Sequence, residues 1–353
     1  MTERIVAVPG PGLDGRECRE WAAQLGIDVE ERPGDPVAVL RALAADGAGG
    51  NPGLAGAIVA PGPARLADPA LAEAISTLAV PVVAVEPGNL RKTGPEPESA
   101  GLEAAGARLL YGRGPDTARH AVFFLARRLG QSPDTLAYGP DPSQEGDLWT
   151  PAGAGPHPVV VLFHGGFWYH AWERDLMDGL AVDLAARATD HLAALAPVYG
   201  LDLGRVAVLG HSAGAQLALW VAARGRRASV HPGLVVGLAT IGDLEGALAD
   251  RVGGGSVARL LDGGGAGDRE VALCDASPLA RLPIGVPQLL AHAADDGVVP
   301  PAQTTRYAAA ARAAGDDVTV LELEAGGHYD LIDPRTRAWA AVAPVLQEKV
   351  IRV

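Results

Sequence analysis

The segment Val206-Ala-Val-Leu-Gly210-His-Ser212-Ala-Gly214 predicts the fold of the second half of this chain. Residues 206–209 form a short apolar run typical of a strand buried on both faces, and residues 215–223 have helical spacing. Ser212 therefore lies at a turn between a strand and a helix. Gly210 and Gly214 lack the Cβ atoms that would collide where strand and helix pass closely, and the tight turn strains the serine backbone. The pattern predicts a nucleophilic serine whose hydroxyl stands clear at a helix N-terminus, where developing negative charge is favoured.

Two later strand ends supply the groups that such a serine needs. A serine hydroxyl is a weak nucleophile at neutral pH, so a base and a group that orients the base are required. The predicted strand 288–292 is followed by Asp295 and Asp296, and the predicted strand 318–323 is followed by His328. The order serine, acid, histidine, each at the end of its own strand, is that of α/β-hydrolases. Asp295 competes with Asp296 for the acid, and His211, a rival base, is expected to pack or cap locally.

A glycine loop precedes the serine in the chain. The predicted strand 159–163 leads into His164-Gly165-Gly166-Phe167-Trp168, and glycines at a strand end leave backbone N–H groups free to face a ligand oxygen. His164 is expected to hold this loop in a structural role. Trp168 and Tyr169 either line a pocket for an aryl group or pack as an ordinary aromatic cluster. His170, His191 and His292 show no paired ligand spacing and are expected to be surface or loop residues.

Residues 135 to about 345 resemble α/β-hydrolases of the esterase and formamidase group. The motifs HGGFW and GHSAGAQLA are most similar to kynurenine formamidase (arylformamidase) and its carboxylesterase relatives. The resemblance implies cleavage of an aryl formamide, amide or small carboxylic ester through an acyl-enzyme intermediate. It also implies these roles: Ser212 as nucleophile, His328 as base, Asp296 as orienting acid, Gly165, Gly166, Phe167 and Ala213 in the oxyanion hole, and Trp168 and Tyr169 in substrate binding.

The chain departs from that group between the glycine loop and the serine. Only the 41 residues 169–209 separate Trp168 from Gly210. Helices are predicted at 176–187 and 191–196, and nothing between them resembles the strand that this group places beside the glycine-loop strand.

The first part of the chain predicts a domain of its own over residues 1–130, followed by the hydrolase domain over 131–353. Short apolar runs alternate with helical stretches, which predicts α/β architecture with a flavodoxin-like, parallel five-stranded sheet covered on both faces. The predicted strands are 5–8, 27–29, 57–60, 81–85 and 108–111. A polar, proline-rich stretch, 131–158, is assigned to the second domain, with an edge hairpin at 135–138 and 146–150.

Residues 1–130 resemble type II 3-dehydroquinate dehydratase at 5–11, 81–86 and 110–114. The segment 12–20 has no tyrosine, and Glu86 stands where that family has its essential histidine. The resemblance therefore implies a degenerate domain, kept as a scaffold through which the chain forms a homo-oligomer. A lyase activity in this domain is the alternative function, and a non-catalytic binding or assembly protein is another.

Composition limits the partners. The chain has 353 residues, 48% of them hydrophobic, with 29 Lys and Arg against 42 Asp and Glu and a net charge of −13. An acidic chain disfavours electrostatic binding to nucleic acid or anionic membranes, so a small-molecule substrate is expected. Cys18 and Cys274 lie far apart without metal-ligand spacing, and no apolar stretch reaches about 18 residues. We expect a cytoplasmic protein without a metal or cofactor.

Overall fold

The chain forms two compact units, Met1–Pro133 and Asp134–Val353. The computed structural model describes residues 3–47, 53–86, 100–111, 117–129, 133–137, 145–153, 155–168, 201–223, 231–262 and 269–351. Within these ranges, none of the helices has the length and apolar character needed to cross a membrane.

The first unit alternates strands and helices as the sequence predicts. Its strands are β1 (Arg4–Val8), β2 (Asp28–Glu31), β3 (Leu54–Val59), β4 (Val82–Glu86) and β5 (Ala107–Tyr111). Its helices are Gly15–Ala23, Pro36–Gly47, Pro69–Ser76, Ala100–Ala104 and Thr117–Arg128. The strands are parallel in the order β2-β1-β3-β4-β5, which is the flavodoxin-like order and confirms the predicted fold.

Both faces of this first sheet are buried. Along β1, Ile5 and Ala7 belong to one core cluster, whereas Val6 and Val8 belong to the other. Alternate side chains of a strand point to opposite faces, so each cluster lies under one layer of helices. This explains the uninterrupted apolar run in the sequence.

The second unit is built on a parallel five-stranded sheet in the order β12-β11-β10-β9-β8. Its strands are β8 (His157–Phe163), β9 (Leu201–His211), β10 (Leu234–Leu238), β11 (Gln288–Ala293) and β12 (Val318–Leu323). Its described α-helices are Ala213–Ala222, Leu244–Ala249, Ser256–Asp262, Arg269–Ala276, Ala302–Ala313 and Arg337–Ile351. The sheet confirms the predicted α/β class.

β10, the central strand of this sheet, was not predicted from the sequence. Leu234–Leu238 is fully buried and pairs with both β9 and β11. Five apolar residues after His231-Pro-Gly carried the signal of a strand covered on both faces. The carboxyl ends of the five parallel strands lie at one edge of the sheet, which is where an α/β protein places its site.

The predicted hairpin forms, but as a sheet of its own. β6 (Asp134–Ala137) and β7 (Glu145–Leu148) are antiparallel and make a separate two-stranded sheet among the described residues. The helices predicted at 176–187 and 191–196, and most of the short segment 169–209, lie outside the described residues.

Candidate active site

Ser212 occupies a sharp turn between β9 and the helix Ala213–Ala222. Its backbone angles are φ 56° and ψ −120°, in the left-handed half of conformational space that side-chain-bearing residues rarely adopt. The Ser212 N–H donates a 2.8 Å hydrogen bond to the carbonyl of Leu238, so the end of β10 holds the turn in place. Strain of this kind persists only where the surrounding structure enforces it, and it concentrates at functional sites.

The two flanking glycines are required by close packing, as the sequence predicts. A Cβ on Gly210 would lie 2.0 Å from the carbonyl oxygen of Gly214. A Cβ on Gly214 would lie 2.1 Å from the carbonyl oxygen of Phe163. Strand, turn and helix therefore approach to a distance that only glycine permits.

The structure buries Ser212 instead of leaving its hydroxyl clear. The residue is 1% exposed. The backbone of Gly165 lies against it, since a Cβ on Gly165 would be 3.2 Å from the Ser212 Cβ. The predicted glycine loop and the predicted nucleophile are thus in contact.

His328 and Asp296 form a buried hydrogen-bonded pair. His328 Nδ1 lies 2.8 Å from Asp296 Oδ2, and both residues are less than 10% exposed. They follow β12 and β11, which are neighbours in the sheet. Asp295 instead accepts a 2.8 Å hydrogen bond from the Gly327 N–H and so shapes the loop that carries His328. Of the two candidate acids, Asp296 is the one that contacts the histidine.

The Asp296 carboxylate is stabilised in its ionised form. Burial alone would raise its pKa, but hydrogen bonds from His292 and His328 outweigh burial and hold the pKa below its ordinary value. The Val298 and Val299 N–H groups donate to the other carboxylate oxygen at 2.8 and 2.9 Å. A charged carboxylate is therefore available to orient an imidazole at neutral pH.

His211 links the turn that carries Ser212 to His328. The His211 Nε2–H donates to the carbonyl oxygen of His328 at 3.0 Å, and the two ring centroids are 4.5 Å apart. Burial, with the nearby His328 ring second, holds the pKa of His211 well below its usual range, so this ring stays neutral. His211 packs locally, as expected, and does not act as a charged partner.

The serine and the histidine are not joined directly in this structure. Among the described residues, no hydrogen bond connects the Ser212 hydroxyl with the His328 ring. Such bonds are often long in hydrolases without substrate and shorten in the complex.

The glycine loop has an unusual backbone. Gly166, Phe167 and Trp168 all have positive φ, at 123°, 52° and 57°. The His164 ring nitrogen Nδ1 lies 2.8 Å from the Gly165 carbonyl, so His164 contacts the loop as expected. Ala213 is the first residue of its helix, and the N–H groups of a first helical turn have no partner within the helix. Loop and helix start therefore bring backbone N–H groups to the vicinity of Ser212.

Of the two aromatic residues expected to bind substrate, Trp168 and Tyr169, only Trp168 lies within the described residues. The Trp168 indole N–H donates to Gln216 Oε1 at 3.0 Å, and the ring packs against a buried apolar cluster that includes Ile241 and Val299. Tyr169 lies outside the described residues, as do His170 and His191.

The prediction for His292 was wrong. His292 is 3% exposed, and its Nε2 lies 3.2 Å from Asp296 Oδ2 and 3.0 Å from the Val299 carbonyl. Its Nδ1 lies 2.7 Å from Thr304 Oγ1. A histidine in a strand covered on both faces must have polar partners, and this was the available signal.

Comparison with known proteins gives a family match within the second unit. The profile of the prolyl oligopeptidase family matches residues 162–347, which is more than half of the chain. The chain belongs to the prolyl oligopeptidase family. The match begins at the end of β8 and includes Ser212, Asp296 and His328, so the hydrogen-bonded pair and the strained serine lie within an α/β-hydrolase enzyme.

Solved structures similar to this member of the prolyl oligopeptidase family include esterases and a peptidase. Esterase B from Lactobacillus rhamnosis is 18% identical, with 66% of this chain and 91% of that chain covered and a TM-score of 0.47. Carboxyl esterase 2 from the mycorrhizal fungus Tuber melanosporum is 16% identical over 62% and 86%, with a TM-score of 0.46. Acylaminoacyl peptidase from Pyrococcus horikoshii is 18% identical over 62% and 41%, with a TM-score of 0.45. The search of the curated proteins found no match.

Proposed function

We propose that the protein is a serine hydrolase that cleaves an aryl formamide, amide or small carboxylic ester through an acyl-enzyme intermediate on Ser212. The observation that carries the proposal is the buried His328–Asp296 hydrogen bond at the ends of two adjacent strands, beside a strained serine turn. Acyl transfer needs these three groups in one place. The motifs HGGFW and GHSAGAQLA support the choice of aryl formamide and ester substrates.

In the proposed mechanism, each residue of the triad has a separate step. His328 Nδ1 is committed to Asp296, so Nε2 is the nitrogen that takes the proton from the Ser212 hydroxyl. The serine oxygen bonds to the substrate carbonyl carbon, and His328 then gives the proton to the departing amine or alcohol. A water molecule hydrolyses the acyl-enzyme by the same route, with His328 again as base. Asp296, ionised throughout, stabilises the imidazolium that forms twice in each cycle.

The negative charge that develops on the carbonyl oxygen needs donors. In this proposal, the N–H group of Ala213 and those of Gly165, Gly166 and Phe167 supply them. Loss of one such donor costs about 10²–10³ in kcat in other hydrolases. The closeness of Gly165 to Ser212 supports this arrangement, because it brings the backbone of the loop to the nucleophile. A side chain at position 165 would also collide with the His211 ring.

Substitution of the serine tests the proposal. Ser212→Ala is expected to reduce hydrolysis of p-nitrophenyl acetate by about 10⁴-fold or more, since nucleophile and base act as a unit. Ser277→Ala is the matched control, because Ser277 is also buried but lies outside the proposed triad. Turnover by Ser212→Ala close to that of the wild type would refute the assignment. A panel of N-formyl aryl amines and short aryl esters then compares the proposed substrate classes by kcat/KM.

A further inference from the structure

The glycine loop that the proposed function uses has a conformation that it cannot hold by itself. Phe167 and Trp168 are consecutive side-chain-bearing residues with φ of 52° and 57°. Each is unfavourable alone, and such residues persist only where neighbouring structure over-determines them. Something outside the loop must therefore fix it, and the contacts of these two side chains show what does.

One attachment is a buried amide. Gln216 is 3% exposed and lies in the helix Ala213–Ala222, whose other described side chains are apolar. Its Oε1 accepts from the Trp168 indole N–H at 3.0 Å, and its Nε2 donates to the Ala276 carbonyl at 2.8 Å. The indole can only donate and the carbonyl can only accept, so these two partners leave the amide a single orientation.

The position of Gln216 in the chain shows which two elements this contact joins. Gln216 is four residues after Ser212, one helical turn along the helix that begins with Ala213. The indole–amide bond thus joins the glycine loop to the helix that carries the nucleophile and the Ala213 N–H. An apolar side chain at position 216 would leave the Trp168 indole N–H and the Ala276 carbonyl without these hydrogen bonds, and it would not set the loop against the helix.

We infer that Gln216 is a positioning residue for the oxyanion hole and acts through Trp168. The inference rests on the proposed function, since it assumes that the loop N–H groups and the Ala213 N–H share one oxyanion. Gln216 does not touch the reacting atoms. It fixes the distance between two sets of donors that belong to different elements.

A double-substitution cycle tests the inference. Gln216→Met, Trp168→Phe and the double variant are assayed with p-nitrophenyl acetate for kcat and KM separately. Each single change removes the same hydrogen bond, so each is expected to lower kcat about tenfold, less than the loss of a whole donor, with KM within about twofold. The double variant should be no more than about twofold worse than the poorer single variant, because the bond can be lost only once. Leu217→Met, at a half-exposed neighbouring position of the same helix, is the control and should match the wild type.

A transition-state analogue separates positioning from a merely structural role. An aryl trifluoromethyl ketone adds to the serine and places an oxyanion in the hole, so its inhibition constant should rise about tenfold in Gln216→Met, in parallel with kcat. A residue that only stabilises the fold would lower the melting temperature and leave kcat of the folded fraction and the inhibition constant unchanged. Should Gln216→Met fail to fold, Trp168→Phe, which keeps an aromatic ring in the apolar cluster, carries the same test.

Two outcomes would overturn the inference. The first is a kcat of both single variants within twofold of the wild type. The second is losses that multiply in the double variant with a raised KM for Trp168→Phe, which would make Trp168 a substrate contact independent of Gln216. With either outcome, an active wild-type enzyme still supports the proposed function. An inactive wild-type enzyme in which Ser212 is also unreactive would overturn both the proposed function and the role of Gln216.

Discussion

The Asp296 carboxylate has hydrogen-bond partners on both of its oxygens. One oxygen faces His328 at 2.8 Å and His292 at 3.2 Å, and the other accepts two backbone N–H groups. A buried charge is tolerated when its hydrogen bonds are all made, and here both carboxylate oxygens are occupied. His292 therefore contacts the same carboxylate oxygen as the proposed base.

Removal of His292 should weaken catalysis without abolishing it. Hydrogen bonds to charged groups contribute about 1.5–3 kcal/mol, so His292→Leu should lower kcat/KM about tenfold to a hundredfold. Asp296→Asn should lower it further, by about 10⁴-fold, through the wrong imidazole tautomer. Thr304→Val, which removes only the partner of His292 Nδ1, is the mild comparison. Equal rates in His292→Leu and the wild type would show that Asp296 is held well enough without it.

His211 should make stability depend on pH. Its folded pKa lies well below that of the unfolded chain, so below about pH 6.5 the unfolded state binds a proton that the folded state does not. The free energy of unfolding should therefore fall as the pH drops below about 6.5, by at most about 1.4 kcal/mol per pH unit from this group. His211→Gln should flatten that dependence in urea unfolding curves from pH 8 to 5. Parallel curves for the two proteins would contradict a neutral, buried His211.

For single residues, the sequence predicted which side chains form the candidate site better than it predicted their contact partners. Ser212, His328 and the Asp295–Asp296 pair follow from order and strand ends, and the structure brings Asp296 and His328 into contact. The second histidine on Asp296 was missed, because its partners come from the loop at Val299 and from Thr304 in the following helix. Contacts between elements depend on packing that a one-dimensional pattern does not contain.

Among the elements, the glycine-rich turn Val252–Gly255 packs against the glycine loop at Phe167. A Cβ on Gly253 would lie 2.4 Å from the Phe167 ring. Gly254 has nearly the same φ, 62° against 65°, but a Cβ there would meet nothing within 4 Å. The two neighbouring positions therefore have nearly the same φ, but only a side chain at position 253 would collide with Phe167 and with the Ser256 hydroxyl.

The pair allows a matched test of the loop. Gly253→Ala and Gly254→Ala both place a side chain at positive φ, but only the first must displace Phe167 or the Ser256 hydroxyl. We expect kcat of Gly253→Ala to be about tenfold or more below that of Gly254→Ala, since small displacements of catalytic groups are costly. Ester hydrolysis and melting temperature are measured together. Equal kcat values in the two variants would mean that the Phe167 contact does not govern the loop.

Element types were predictable where apolar runs were short and bounded by turn residues. The five strands of the first unit and the strands ending in the site residues were predicted from such runs. β10 was not predicted although its run is apolar, because no motif residue follows it in the chain. Its role is visible only in three dimensions, where its Leu238 carbonyl holds the Ser212 N–H.

For the whole molecule, each unit has its own hydrophobic core, and every residue of the proposed site belongs to the second unit. Leu40 is fully buried in the first unit. Leu40→Ala should destabilise that unit by about 2–5 kcal/mol through the lost transfer energy and the cavity that remains. The thermal unfolding of the first unit should shift, and kcat/KM for the ester below that transition should stay within about twofold. A large loss of activity in a folded Leu40→Ala protein would show that the first unit contributes to the site.

In the proposed mechanism, the strained turn carries a serine that His328 and Asp296 make nucleophilic. Treatment with a fluorophosphonate, followed by peptide mass spectrometry, measures this most directly, because only an activated serine forms the phosphonyl bond. We expect one adduct, on Ser212, with labelling greatly slowed in His328→Ala. A folded wild-type protein that stays unlabelled, or that is labelled at another residue, would rule out this assignment of the nucleophile.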